Sequence, residues 1–199
     1  MEPPICSICG KSLEGGFRED TQRLCVDCLL RPPFFSRARS MGKYEGPLLE
    51  ALHLFKYRKN ITAGERLAKM MSRWALDLPD LHDFDLVVPI PLHPAKLRKR
   101  GFNQSLILAR RISRTCSIPL DATILVKVSD GDPQVELGRK ERKANVRNRF
   151  TLAKGKSASG LKILLIDDVY TTGSTVGECA RILLKGGARE AAVLTLARA

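Results

Sequence analysis

Residues 161–166, Leu-Lys-Ile-Leu-Leu-Ile, lead into two adjacent carboxylates, Asp167 and Asp168, and then, after Val169 and Tyr170, into the turn Thr171-Thr172-Gly173-Ser174-Thr175. Four consecutive apolar residues before the acidic pair mark a short buried strand. Beyond the turn, Val176, Cys179, Ala180, Leu183 and Leu184 recur at helical spacing as far as Gly186-Gly187, where the helix stops. Other apolar runs at 85–91, 124–128 and 191–196 lie among helical patterns at 47–57, 64–78, about 103–115 and 175–185. Strands that alternate with helices predict an α/β fold, a mostly parallel sheet covered by helices on both sides.

The strand-to-helix junction carries the chemistry. Residues Thr171, Thr172, Gly173, Ser174 and Thr175 can offer backbone N–H groups and hydroxyls to a phosphate at the positive end of the helix, with Gly173 allowing close backbone approach. Asp167 and Asp168 stand just upstream, where carboxylates can hydrogen-bond ribose hydroxyls or meet a hydrated magnesium ion that also holds a diphosphate. Each half alone has a plainer reading, since paired aspartates cap turns and hydroxyl-rich turns are common. Joined in this order, they fit a phosphorylated sugar.

Four of the six cysteines form two C-x2-C pairs, Cys6 with Cys9 and Cys25 with Cys28, separated by a 15-residue arm. Each pair aims two sulfurs at one point, and four thiolates close a tetrahedral zinc shell. A redox C-x2-C motif is the alternative, but such pairs come singly in a strand-helix setting. A closed shell has no position for substrate, so the zinc is structural and folds a piece too small to hold its own core. Residues 29–40, with Pro32-Pro33 and three arginines, read as a linker. This sets a zinc-binding module with linker at 1–40 and a larger domain at 41–199. Cys116 and Cys179 read as small buried hydrophobes. Paired cysteines, no apolar run near the roughly 20 residues of a membrane span and no apolar export segment at the amino terminus together suggest a cytoplasmic chain with reduced thiols.

The run 162–175 resembles the phosphoribosyl pyrophosphate (PRPP) signature of type I phosphoribosyltransferases. Val88-Pro-Ile-Pro-Leu-His-Pro94, Arg100-Gly-Phe-Asn-Gln-Ser105, the series Gln134, Leu137, Arg142, Asn145 and Phe150, and the amino-terminal cysteines narrow the resemblance to the ComF family, associated with DNA uptake in natural transformation. The resemblance covers nearly the whole chain. It implies a type I phosphoribosyltransferase-like domain that binds PRPP with magnesium through Asp167, Asp168 and the 171–175 loop. It also implies a pyrophosphate side built from Pro89, Ile90 and Pro91 with Arg98, Lys99 and Arg100, a flexible hood at 129–149, and single-stranded DNA as a partner, with other DNA-uptake proteins as further candidates. The alternative is an active transferase that moves phosphoribosyl to another acceptor. Purine-salvage members carry a third acidic residue where this chain has Thr171, and a hydroxyl cannot replace a carboxylate base at neutral pH, so a free purine is disfavoured.

Charge fits a polyanionic partner. The chain has 34 Lys and Arg against 21 Asp and Glu, and residues 93–149 hold 14 of the basic and five of the acidic side chains. The DNA-binding candidates are Arg98, Lys99, Arg100, Arg139, Lys140, Arg142, Lys143, Arg147 and Arg149. A solvated basic face is the plainer alternative. Phe102 and Phe150 read as core residues rather than base-stacking ones, and His53, His82 and His93 receive no role.

Overall fold

The computed structural model of the protein describes residues 4–13, 23–58, 60–128 and 149–199. Their elements, in chain order, are α1 (Val26–Leu30), β1 (Ala38–Lys43), α2 (Gly46–Tyr57), α3 (Ile61–Leu76), β2 (Leu86–Pro89), α4 (Pro94–Arg100), α5 (Gln104–Cys116), β3 (Leu125–Lys127), β4 (Phe150–Leu152), β5 (Lys162–Tyr170), α6 (Ser174–Lys185) and β6 (Glu190–Arg198). Among the described residues, four strands form a parallel sheet in the order β1-β6-β5-β2. Of the two middle strands, β6 is buried along almost its whole length and β5 from Ile163 to Ile166, as expected of strands covered on both faces.

Strand alternation divides the interior. Ile163 and Leu165 of β5 and Val193 of β6 point to the side where α6, the β3-β4 pair and the four paired cysteines pack. Leu164, Ile166, Leu194 and Leu196 point to the opposite side, where α2, α3 and α5 supply Leu52, Phe55, Met71, Leu108 and Ile112. Each of these fully buried side chains contributes about 1.5–3 kcal/mol, so the alternation alone settles which helices lie on which face.

Two details depart from the sequence reading. The run 124–128 does form a strand, but β3 pairs antiparallel with β4 in a separate two-stranded sheet. The fourth parallel strand is β1, in register with β6 from Ala38 opposite Val193. It begins at Ala38, inside the stretch 29–40 read as linker, because the mixed run Ala-Arg-Ser-Met-Gly-Lys has little apolar signal and takes an edge position. No described helix is long and apolar enough to cross a membrane.

Candidate functional site

The carboxyl end of β5 and the start of α6 build the centre. Gly173 caps α6 at φ 72°, in the left-handed region that favours glycine, and a Cβ there would collide with the Tyr170 ring. Within the loop the Thr172 and Ser174 hydroxyls lie 2.8 Å apart, and the Ser174 N–H donates to Thr172 Oγ1 at 3.3 Å. Asp167, partly buried, accepts on Oδ1 from the Ser105 hydroxyl at 2.8 Å and from the Asp168 N–H at 2.9 Å. Burial first, and the neighbouring Asp168 charge second, push its carboxyl up to about 7. Asp168 is neutralised by Lys56 of α2, whose Nζ lies 3.0 Å from Oδ2 with both side chains largely buried.

Lys56 and Ser105 are site residues that the sequence reading missed. Phe55, next to Lys56, stacks on Phe102 with ring centroids 5.5 Å apart, so α2 is docked onto the segment that opens α5. In that segment each side chain has a distinct task. Asn103 caps α5 by accepting from the Ser105 N–H at 3.0 Å, and its amide donates to the Ile90 carbonyl at 3.0 Å, tying the segment after β2 in place. Arg100 donates to Gln104 Oε1 at 2.9 Å, while the Gln104 amide nitrogen is buried with no partner among the described residues. Asn103 ahead of a run at helical spacing is a helix-start signal legible in the sequence; the reach of Ser105 to Asp167, 62 residues away, is not.

The four paired cysteines come together as expected, all buried, with their sulfurs within 4.8 Å of one another. Cys9 Sγ and Cys25 Sγ lie 3.6 Å apart, close to the spacing of about 3.8 Å that a tetrahedral shell at roughly 2.3 Å requires, so the cluster can hold a metal such as zinc. The cluster touches the other centre. Arg198 donates to the Cys9 carbonyl at 2.6 Å and lies 4.4 Å over the Tyr170 ring, and Phe35 meets that ring edge-on. Between this part and the phosphate loop lies a cavity of about 580 Å3.

The other candidates sit as follows. Pro89 ends β2, Ile90 is buried and its N–H donates to the Ile166 carbonyl, and Pro91 follows at the surface end of the sheet. Arg98, Lys99 and Arg100 occupy the last turn of α4, the first two exposed. Arg149 directly precedes β4, whereas Arg139, Lys140, Arg142, Lys143 and Arg147 lie outside the described residues. Phe150 is buried, as are Cys116 and Cys179. His93 caps α4, its Nδ1 accepting from the Ala95 N–H at 3.3 Å.

The phosphoribosyl transferase domain family matches residues 101–199. Competence protein F of Haemophilus influenzae is 32% identical over 98% of this chain and 85% of its own length. Competence protein ComFC of Bacillus subtilis is 30% identical over 98% of this chain and 78% of its own, and DNA utilization protein YhgH of Escherichia coli K12 is 29% identical over 98% and 90%. Among solved structures, the glutamine PRPP amidotransferase of B. subtilis superposes with a TM-score of 0.44 at 20% identity over 66% of this chain and 25% of that one. The matches extend over nearly the whole chain, so the chain, with its type I phosphoribosyltransferase fold and amino-terminal four-cysteine cluster, belongs to the ComF family of competence proteins.

Proposed function

We propose that the protein is a cytoplasmic PRPP- and magnesium-binding module that also holds single-stranded DNA during DNA uptake. The observation that carries the PRPP part is the β5–α6 junction, where the 171–175 loop and the Asp167–Asp168 pair meet at one sheet end. The 5′-phosphate would lie on the loop and the ribose hydroxyls would face the carboxylates. Magnesium, held by Asp167 and Asp168, would neutralise the diphosphate charge. Lys56 already supplies one positive charge to this acidic pair, which supports an anionic ligand rather than a bare metal site. Arg98, Lys99 and Arg100 stand on the helix that follows β2, where the pyrophosphate end of PRPP would project. Zinc in the four-cysteine cluster is structural in this reading.

The DNA part is supported by the basic segment and by the names of the relatives, which speak of competence and DNA utilization. Calorimetric titration of the zinc-loaded protein with PRPP in magnesium, with and without a single-stranded oligonucleotide, tests both parts. Binding of PRPP only in the presence of magnesium, lost in the Asp167→Asn/Asp168→Asn variant that still melts cooperatively, is the expected result. Undiminished binding by that variant would move the site elsewhere. A second reading, transfer of phosphoribosyl to a non-purine acceptor, draws on Asp167, whose proton exchanges near neutral pH. Pyrophosphate release on addition of candidate acceptors would support it.

A further inference from the structure

The cavity of about 580 Å3 beside the phosphate loop has a size that suits a small organic ligand. One wall is the segment after α1, with Arg31, Pro32 and Phe34; the other is the loop and the flank of α6, with Thr172, Ser174 and Arg181. Neither Asp167 nor Asp168 lines it. A ligand entering from this side therefore reaches the phosphate-binding hydroxyls without meeting the carboxylates that would recognise a ribose diol. A 2′-deoxyribose loses nothing here. Phe34 leaves 54% of its surface exposed next to two prolines, which makes a flat apolar wall at the cavity. Such a wall suits a base of any identity, because every base has a stacking face.

We propose that this cavity receives the 5′-terminal nucleotide of a single DNA strand, with its 5′-phosphate on the 171–175 loop and its base against Phe34. The inference rests on the reading above, that the chain binds both PRPP and single-stranded DNA, and goes beyond it by naming which part of the strand is recognised. PRPP and a phosphorylated strand end carry the same group, a phosphate monoester on the 5-carbon of a pentose. Only one of them can occupy the loop at a time. PRPP would extend from the loop towards Asp167 and Asp168, and the strand would extend past Phe34 and Arg31, so the two exclude each other at the phosphate. Arg181, whose Nε and Nη2 each donate to a Glu178 carboxylate oxygen at 2.8 Å, is a fixed edge of the cavity rather than a mobile cation.

Fluorescence anisotropy with 3′-labelled oligodeoxynucleotides of one sequence, carrying either a 5′-phosphate or a 5′-hydroxyl, tests this. The phosphorylated strand is expected to bind about tenfold more tightly. Saturating PRPP with magnesium should remove that advantage and leave both strands equal. Phe34→Ala, a change at an exposed position, should remove most of the advantage while calorimetric PRPP affinity stays the same. Equal affinity of the two strands, or an advantage that PRPP leaves intact, overturns the inference but not the reading beneath it. A free deoxynucleoside 5′-monophosphate that binds as tightly as the strand also overturns it, since the cavity would then be a mononucleotide site. Failure of both strands to bind at low salt overturns the inference together with the DNA part of the reading.

Discussion

Lys56 and Asp168 stand 3.0 Å apart with 16% and 14% of their side-chain surface exposed, so neither can be altered alone without leaving a charge in a poorly solvated place. Lys56→Met should cost about 3 kcal/mol at neutral pH, and the loss should shrink at pH 5, where Asp167 carries a proton and no longer repels its neighbour. Thermal unfolding of the variant and wild type at the two pH values measures this. Asp167 gives a separate signature. Its carboxyl lies above the ordinary value of 3.8, at about 7, so the native state binds the proton more tightly than the unfolded chain does. The stability this contributes is present at acid pH and lost as the pH rises through about 7. Asp167→Asn keeps an oxygen for Ser105 and for the Asp168 N–H but has no proton to lose, so its stability should fall less than that of wild type between pH 5 and pH 8 in denaturant titrations. Gly173 is required by its φ of 72° and by Tyr170 beneath it. A Gly173→Val variant would therefore distort the loop itself, beyond any block of the phosphate. The acidic pair and the loop were legible because they are contiguous in sequence; Lys56 was not, because nothing local distinguishes it from any surface lysine on an amphipathic helix.

At the scale of elements, β6 and the cysteine cluster are joined by one side chain. Arg198, last residue of β6, reaches the Cys9 carbonyl and covers the Tyr170 ring, and Tyr170 is the last residue of β5 before the phosphate loop. Arg198→Met should lower stability by about 2 kcal/mol, the usual worth of a charged hydrogen bond with its packing. Calorimetric melting of the zinc-loaded protein checks it. Removal of residues 1–40 would take Ala38–Ser40 out of β1 and remove Phe35 with its edge-on contact to Tyr170, so the truncated chain should melt well below the intact one even though the phosphate loop lies in the remainder. The pairing of β3 with β4 depended on a partner only three residues long, too short to stand out in sequence.

At the scale of the whole molecule, the proposed binding of single-stranded DNA would draw on the surplus of 34 Lys and Arg over 21 Asp and Glu. Affinity for single-stranded DNA should fall with salt at a logarithmic slope of about 0.7 for each phosphate contact, and replacement of Arg139, Lys140, Arg142 and Lys143 by glutamine should flatten that slope as well as weaken binding. Anisotropy titrations across a salt series would show it; a slope unchanged in the variant would leave these residues as a solvated face. By itself the sequence determined the helices flanking the sheet, the buried strands β2, β5 and β6, the cysteine cluster and the acidic pair with its phosphate loop. Each of these is written in hydrophobic period or in close spacing along the chain. Tertiary structure alone decided that β1 completes the sheet, that Lys56 and Ser105 meet the aspartates, and that the cysteine cluster leans on Tyr170 and walls a cavity beside the loop. Those contacts join residues far apart in sequence, and a side chain's partner across such a distance is set by which faces the sheet and helices bury together, a property that no local pattern encodes.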